Sequence, residues 1–264
     1  MFTKFKENFA RYPNINSYDI LKLFALFLMV VDHLGMYVFP ESDMFRVYGR
    51  LSFPIFFFLI GYSANFIMKF ELIVLALLLQ ALDLILHYPL LPLNILFTVF
   101  LGQAIISFAI YFGLMRRFES TCIFMFVLGI ICLPTYILTE YSSLGVMFMV
   151  LGFLTRKAPR KENLLLFIAT FGLYYFVEVY SPPYGEHDKI FLGIAFIYMI
   201  SLMYRFDIKE AKLAATHPKL NKNIIVPLLY ISRNSLYFYA FQLAIFRLAT
   251  VYLHPEKYTG FRLF

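Results

Sequence analysis

The sequence predicts an all-α fold, a polytopic transmembrane helical bundle of about nine helices. Of its 264 residues, 61% are apolar and 20% are aromatic, and the mean hydropathy is +0.75. A water-soluble surface does not tolerate so much apolar material. The apolar runs have the length of helices and lack the ten-residue alternation of barrel strands, so helices are expected to satisfy the backbone polar groups in lipid.

Nine apolar segments reach or approach the roughly 20 residues that a spanning helix needs. The sixth segment is short, and Arg233 and Asn234 interrupt the long ninth, so eight to ten helices remain open. The first segment follows basic residues, as a signal peptide would, but it is too long and lacks a small-residue cleavage site. We expect one integral-membrane domain over residues 1–264. Its segments are 18–39, 51–68, 70–87, 93–115, 121–139, 143–155, 162–180, 189–206 and 224–252.

Lysines and arginines in the predicted loops indicate the orientation. With a cytoplasmic N-terminus, fifteen of them lie on the inner side and five on the outer side, which is a strong positive-inside asymmetry. The asymmetry also accounts for the net charge of +7, so no nucleic-acid partner is expected. We predict that the N-terminus and the loop around Lys212 are cytoplasmic and that the tail from His254 is outside.

Polar residues within the predicted helices gather in the outer half of the membrane. Ionisable groups at membrane depth are rare and usually face a cavity or a partner. The sequence therefore predicts a pocket that opens outward and holds the chemistry. The nine residues are Asp32, His33, Asp83, His87, Asn94, Thr98, Glu178, Gln242 and Arg247.

The first helix carries a polar stripe toward this pocket. Asp19, Lys22, Met29 and His33 fall within about 40° of one another, and Lys22 lies about 16 Å below His33 along the axis. The stripe predicts a path from the outer pocket to the cytoplasmic face. Alternatively, Lys22 extends to the inner headgroups and His33 is an interfacial histidine bonded to a neighbour.

The two cysteines indicate no special chemistry. Cys122 and Cys132 lie in one apolar segment, ten residues apart, which is too far along a helix for a disulfide. No spacing in the chain indicates a metal site, so none is expected.

Four stretches resemble successive signatures of the TraX family of pilin acetylases, which are related to membrane acyltransferases such as the heparan-glucosaminide acetyltransferase-like proteins. They read YDILKLFALFLMVVDHLG, FRVYGRLSFPIFFFLIGY, LPLNILFTVFLG and YISRNSLYFYAFQL. The resemblance implies an acyltransferase-like fold in the bacterial inner membrane that takes acetyl from acetyl-CoA. It places Asp32, His33, Arg46 and Arg50 at the centre. The last helix of such proteins commonly carries a histidine where this chain has Gln242, which cannot titrate.

The resemblance also implies a cytoplasmic donor and an acceptor on the outer side. Lys22, Lys69, Arg116 and Arg117 are the candidates for binding the CoA phosphates, because charge-assisted bonds to phosphate are strong. Each of these cations is equally a determinant of topology. The acceptor stays open among a pilin N-terminus, a polysaccharide, a lipid and a small amine.

His33 is the predicted chemical centre. It can take a proton from an amine or hydroxyl near neutral pH, or accept the acetyl group itself. Asp32 points 100° away around the helix and is expected to pair with Arg46 or Arg50. Arg50 either stabilises the oxyanion, binds an anionic acceptor or anchors the loop. The residues predicted to line the acceptor site are Arg46, Asp83, His87, Asn94, Glu178 and Gln242, and Asp83, His87 or Glu178 is expected to orient His33.

Two other classes of function remain open. A secondary transporter or proton-coupled flippase also uses buried Asp, His and Glu, but transporters commonly show paired halves, and this sequence shows no repeat. A noncatalytic assembly factor for pili or the envelope would use the charge cluster as a docking surface.

Overall fold

The computed structural model describes residues 15–86, 88–157, 161–180, 184–209 and 225–253. This part of the chain is helical, and an isolated bridge joins Leu93 to Thr139. The helices are α1 Ser17–His33, α2 Asp43–Gly49, α3 Ser52–Ser63, α4 Phe70–Ile85, α5 Ile95–Tyr111, α6 Phe118–Ile130, α7 Cys132–Thr135, α8 Ser142–Lys157, α9 Asn163–Tyr180, α10 Glu186–Tyr204, α11 Val226–Arg233 and α12 Ser235–Leu253.

Each of the nine predicted segments contains a helix, with shifted boundaries. Helix α1 continues into a π-helical turn, Leu34–Val38, and the fourth segment ends early because Gly113 turns the chain at φ +71°. The fifth segment divides into α6 and α7. The predicted interruption of the last segment is confirmed, because α11 ends at Arg233 and α12 begins at Ser235.

The helices are those of a membrane protein. Four are long and apolar enough to cross a membrane, and α5, α6 and α9 are shorter apolar helices. Many large apolar side chains on their outer faces are exposed, among them Phe27, Phe126 and Phe241. Such faces suit a lipid surface. The number of crossings, nine, stays a prediction.

Helix α8 occupies the centre of the bundle. Nearly every residue from Ser142 to Leu154 is buried, which is the pattern of a helix enclosed by protein on all sides. Helices α3, α5, α6 and α9 pack around it. This enclosed helix is the sixth and shortest of the predicted segments.

Two glycines bring the backbones of α3 and α8 into direct contact. A Cβ at Gly61 would overlap the carbonyl of Met149, and a Cβ at Gly152 would overlap the carbonyl of Phe58. Small residues allow this close approach between helices in membranes. The contact determines how α3 lies against α8.

Gly61→Ala is expected to destabilise the protein by about 1–3 kcal/mol, because the new methyl group overlaps backbone that cannot move aside. Unfolding can be followed with a thiol-reactive dye, since Cys132 is buried in the folded state. Gly172→Ala is the matched control. Outside the backbone of its own helix, no atom of the described residues lies within 4 Å of a Cβ at Gly172, so this change should leave stability unchanged or raise it by about 0.5–1 kcal/mol. Equal unfolding temperatures for both variants would contradict the close contact.

Candidate functional site

Two cavities lie along α1. The first, which we call the histidine cavity, has a volume of about 160 Å³ and is lined by His33, Asp32, Arg46, Arg50, Glu140 and Arg247 among others. The second, the lysine cavity, has a volume of about 300 Å³ and is lined mainly by apolar side chains, with Lys22 and Lys69 among its polar ones. Four residues line both cavities, so a single layer of side chains separates them: Met29, Phe56, Ile95 and Tyr239.

The polar stripe predicted on α1 runs past both cavities. Lys22 lines the lysine cavity, His33 lines the histidine cavity, and Met29 lines both. Asp19 lies toward the other end of the helix, where its carboxylate accepts a hydrogen bond of 2.9 Å from the hydroxyl of Ser232.

His33 is held by aromatic rings and by one amide. It is buried, and the rings of Tyr37, Tyr239 and Phe246 lie 5.8 to 6.2 Å from its ring. The side-chain amide nitrogen of Gln242 lies 3.4 Å from its Nδ1. An amide offers both a donor and an acceptor, so Gln242 can serve either tautomer of the imidazole.

The carboxylates predicted to orient His33 have other partners, so that prediction was wrong for two of its three candidates. Asp83 forms an ion pair with Arg247, and Glu178 forms one with Arg50 at 3.0 Å. A buried arginine attracts a carboxylate more strongly than a neutral imidazole does. The third candidate, His87, lies outside the described residues.

Asp32 pairs with Arg46, one of the two partners predicted for it. The Arg46 guanidinium donates to Oδ2 at 2.9 Å, while Oδ1 is buried without a hydrogen-bond partner among the described residues. Gly49 permits this contact between α1 and α2, because a Cβ there would overlap the side chain and Cα of Asp32. The pair ties α2 to α1.

Arg50 is fixed by several groups at the wall of the histidine cavity. Besides Glu178, the hydroxyls of Tyr184 and Tyr141 each lie 3.3 Å from its guanidinium, and the Tyr174 hydroxyl donates to its backbone carbonyl at 2.8 Å. Arg50 therefore anchors α2 to α9. It also presents a rigid cation to the cavity, so all three roles predicted for Arg50 stay compatible with the contacts.

Arg247 is a cavity residue that the sequence analysis noted only as polar. Its guanidinium lies 3.4 Å from the Tyr37 hydroxyl and 3.4 Å from the Leu79 carbonyl, in addition to its ion pair with Asp83. An arginine within an apolar helix was a sufficient signal to include it. Asp83 thus positions a cavity arginine and does not itself line the cavity.

Three further predicted residues lie away from the histidine cavity. Asn94 is buried, caps α5 by accepting from the Leu96 N–H, and donates to the Ala76 carbonyl, so its side chain is committed to the fold. Arg116 and Arg117 are exposed between α5 and α6 and line neither cavity. Of the four cations predicted for the donor, only Lys22 and Lys69 line the lysine cavity.

Glu140 is a charged cavity residue that was not predicted from the sequence. It lies between α7 and α8 and lines the histidine cavity. The sequence contained only a weak indication of this role, because an acidic residue in a short turn between apolar segments is usually solvated. Only the fold shows that the turn closes over the cavity.

The fold and the site define a helical membrane protein with a buried histidine and three paired arginines around one cavity at one end of its bundle. The chain belongs to the TraX family, since the profile of that family, described as TraX protein, matches residues 17–248. It is 30% identical over 261 residues to the uncharacterized protein RP591 of Rickettsia prowazekii (strain Madrid E), covering 94% of this chain and 96% of that protein. No solved structure matches it.

Proposed function

We propose that the protein is a membrane-embedded acetyltransferase that moves an acetyl group from acetyl-CoA in the lysine cavity to an acceptor in the histidine cavity. The observation that carries the proposal is the pair of cavities separated only by Met29, Phe56, Ile95 and Tyr239. A donor and an acceptor on opposite sides of a membrane need such a meeting point. Membership of the TraX family supports the same reaction.

The lysine cavity suits the donor. Lys22 and Lys69 supply cations for the CoA phosphates, and the apolar side chains that dominate the lining suit the uncharged arm that carries the thioester. The lysine cavity is proposed to face the cytoplasm, with the N-terminus on the same side of the bacterial inner membrane. This orientation rests on the distribution of lysine and arginine in the loops.

The histidine cavity supplies groups for acyl transfer. The nucleophile of the acceptor forms a bond to the carbonyl carbon, the carbon–sulfur bond breaks, and CoA leaves as the thiolate. His33 takes the proton of the nucleophile, first accepts the acetyl group, or donates to the carbonyl oxygen. Arg50 donates to the carbonyl oxygen as negative charge develops there. The acceptor is an amine or hydroxyl on the outer side, and a pilin N-terminus is the acceptor that the family implies.

Acetyl transfer by the purified protein tests the proposal. Protein in lipid nanodiscs, given acetyl-CoA labelled in its acetyl group and a triglycine peptide with a free N-terminal amine, should release CoA thiol and label the peptide. Mass spectrometry of the detergent-solubilised protein should detect CoA that copurifies. The absence of both bound CoA and thiol release would contradict the proposal. Solute movement across vesicles without thiol release would favour a transporter.

Lys69→Met and Lys22→Met are each expected to raise the KM for acetyl-CoA roughly tenfold with little change in kcat. A charged hydrogen bond contributes about 1.5–3 kcal/mol, and 1.4 kcal/mol corresponds to tenfold, while lost ground-state binding leaves kcat unaffected. Methionine keeps the apolar stem of lysine. Arg117→Met is the matched control and should leave KM unchanged, because Arg117 lines neither cavity. A larger increase in KM from Arg117→Met than from the two lysine variants would indicate that the CoA nucleotide binds at the turn between α5 and α6.

A further inference from the structure

Glu140 is held in place by three neighbours from the start of α5. Its carboxylate Oε2 accepts the backbone N–H of Ile95 at 3.0 Å, and its own N–H donates to the Leu93 carbonyl at 2.9 Å. The Thr98 hydroxyl donates to its backbone carbonyl. Because hydrogen bonds hold both the main chain and the carboxylate of Glu140, its side chain stays in one orientation. A catalytic group needs such a fixed orientation.

The carboxylate of Glu140 is not neutralised by a salt bridge. Among the described residues, the three arginines of the histidine cavity each pair with a different carboxylate, and Glu140 has no such partner. Its surface is partly exposed and faces the cavity that it lines with His33. A carboxylate that is fixed by the backbone and open to a cavity is available to a ligand there.

The surroundings of Glu140 suit proton transfer near neutral pH. The pKa of Glu140 is raised to about 7, chiefly by burial. The neighbouring Arg247 and the Ile95 N–H act to lower this pKa, while Asp83 and Asp32 act to raise it. Tyr37 and Tyr239 are the uncharged titratable groups that interact with it from the π-helical turn and α12. Arg46 and Arg50 also line the cavity but are held by Asp32 and Glu178.

We propose that Glu140 is a catalytic residue, the group that takes the proton from the acceptor. This inference rests on the proposed acetyl transfer and assigns its proton. As the acceptor nitrogen or oxygen bonds to the carbonyl carbon, its proton passes to the Glu140 carboxylate. The carbon–sulfur bond breaks and the CoA thiolate leaves toward the lysine cavity, so charge and atoms balance.

In this scheme His33 donates a hydrogen bond to the carbonyl oxygen. Where the Gln242 amide nitrogen donates to Nδ1, the imidazole carries its proton on Nε2 and acts as a donor in the cavity. Such a donor, together with Arg50, stabilises the oxyanion. His33 and Glu140 thus have separate roles, His33 as the donor to the oxyanion and Glu140 as the proton acceptor.

The test measures acetyl-CoA hydrolysis in nanodiscs as CoA thiol release between about pH 5.5 and 8.5, with water as the acceptor because water does not titrate there. Empty nanodiscs supply the background rate. In the wild type, the rate should fall as pH decreases through about 7, because the protonated carboxyl cannot accept a proton. Glu140→Gln should lower the rate at pH 8 by about 10²- to 10⁴-fold and remove this pH dependence.

Two further variants separate catalysis from structure. Glu140→Asp keeps the acid and should recover part of the lost rate with its pH dependence, whereas Glu41→Gln makes the same change on the exposed outer loop and should match the wild type. Glu140→Gln should still bind acetyl-CoA and melt like the wild type, because its amide oxygen can accept the Ile95 N–H.

Each contrary outcome has a distinct meaning. An unchanged rate in Glu140→Gln, or a lower rate with the original pH profile, would overturn the role of Glu140 and leave acetyl transfer intact. A wild-type protein that binds no acetyl-CoA and releases no thiol would overturn the proposed function and this inference together.

Discussion

His33→Ala should lower acetyl transfer by about 10²- to 10⁴-fold while the protein still folds and binds acetyl-CoA. A positioned acid–base group contributes about this much to a rate, and loss of one oxyanion donor costs about 10²- to 10³-fold. Binding of acetyl-CoA should persist, because His33 lines the histidine cavity and does not line the lysine cavity, where the donor is proposed to bind. The measurement is transfer of labelled acetyl to a triglycine peptide by variants with matched melting curves.

Two further variants provide a control for this prediction and distinguish the possible roles of His33. His187→Ala removes an exposed histidine at the start of α10 and should leave the rate unchanged. His33→Gln keeps an N–H donor but cannot titrate or carry the acetyl group. Substantial activity in His33→Gln would identify His33 as a donor, and activity as low as that of His33→Ala would favour its role as base or acetyl carrier. Near-normal turnover in His33→Ala would contradict the site.

Glu178→Gln should destabilise the protein by about 3–5 kcal/mol, because it leaves the buried Arg50 guanidinium without its carboxylate. The side chain of Glu178 is only 3% exposed and that of Arg50 is 15% exposed, so both charged groups are largely removed from bulk water. Thermal unfolding followed through the buried Cys132 measures the effect. Glu186→Gln is the matched control, since that glutamate pairs with Lys189 at the surface and should cause no measurable change.

Changes at Arg50 separate stability from activity. Arg50→Lys should be impaired in both, because an ammonium group cannot reach Glu178, Tyr141 and Tyr184 together as a planar guanidinium does. Arg50→Met combined with Glu178→Met removes both charges and should regain much of the stability. If the double variant also regains acetyl transfer, Arg50 does not act on the oxyanion.

The local features of the site could be predicted from the sequence. Asp32 and Arg46 are only 14 residues apart on consecutive elements, so an oppositely charged pair at membrane depth was expected to meet, and it does. The gathering of polar groups at one end of the bundle followed from their depth in each segment. The group that contacts the His33 imidazole did not follow, because Glu178, Asp83 and His87 were equivalent candidates by depth alone.

The sequence by itself determined the helical membrane class and the family, and it predicted a site at His33 and its neighbouring arginines. Only the tertiary structure placed Gln242 against His33, 209 residues away, and turned Glu140 toward the cavity. The physical reason is that lipid and protein interior are both apolar, so hydrophobic periodicity carries little information about which face of a helix points inward. Helix rotation is set instead by packing such as the contact of Gly61 with Met149, which depends on the whole bundle.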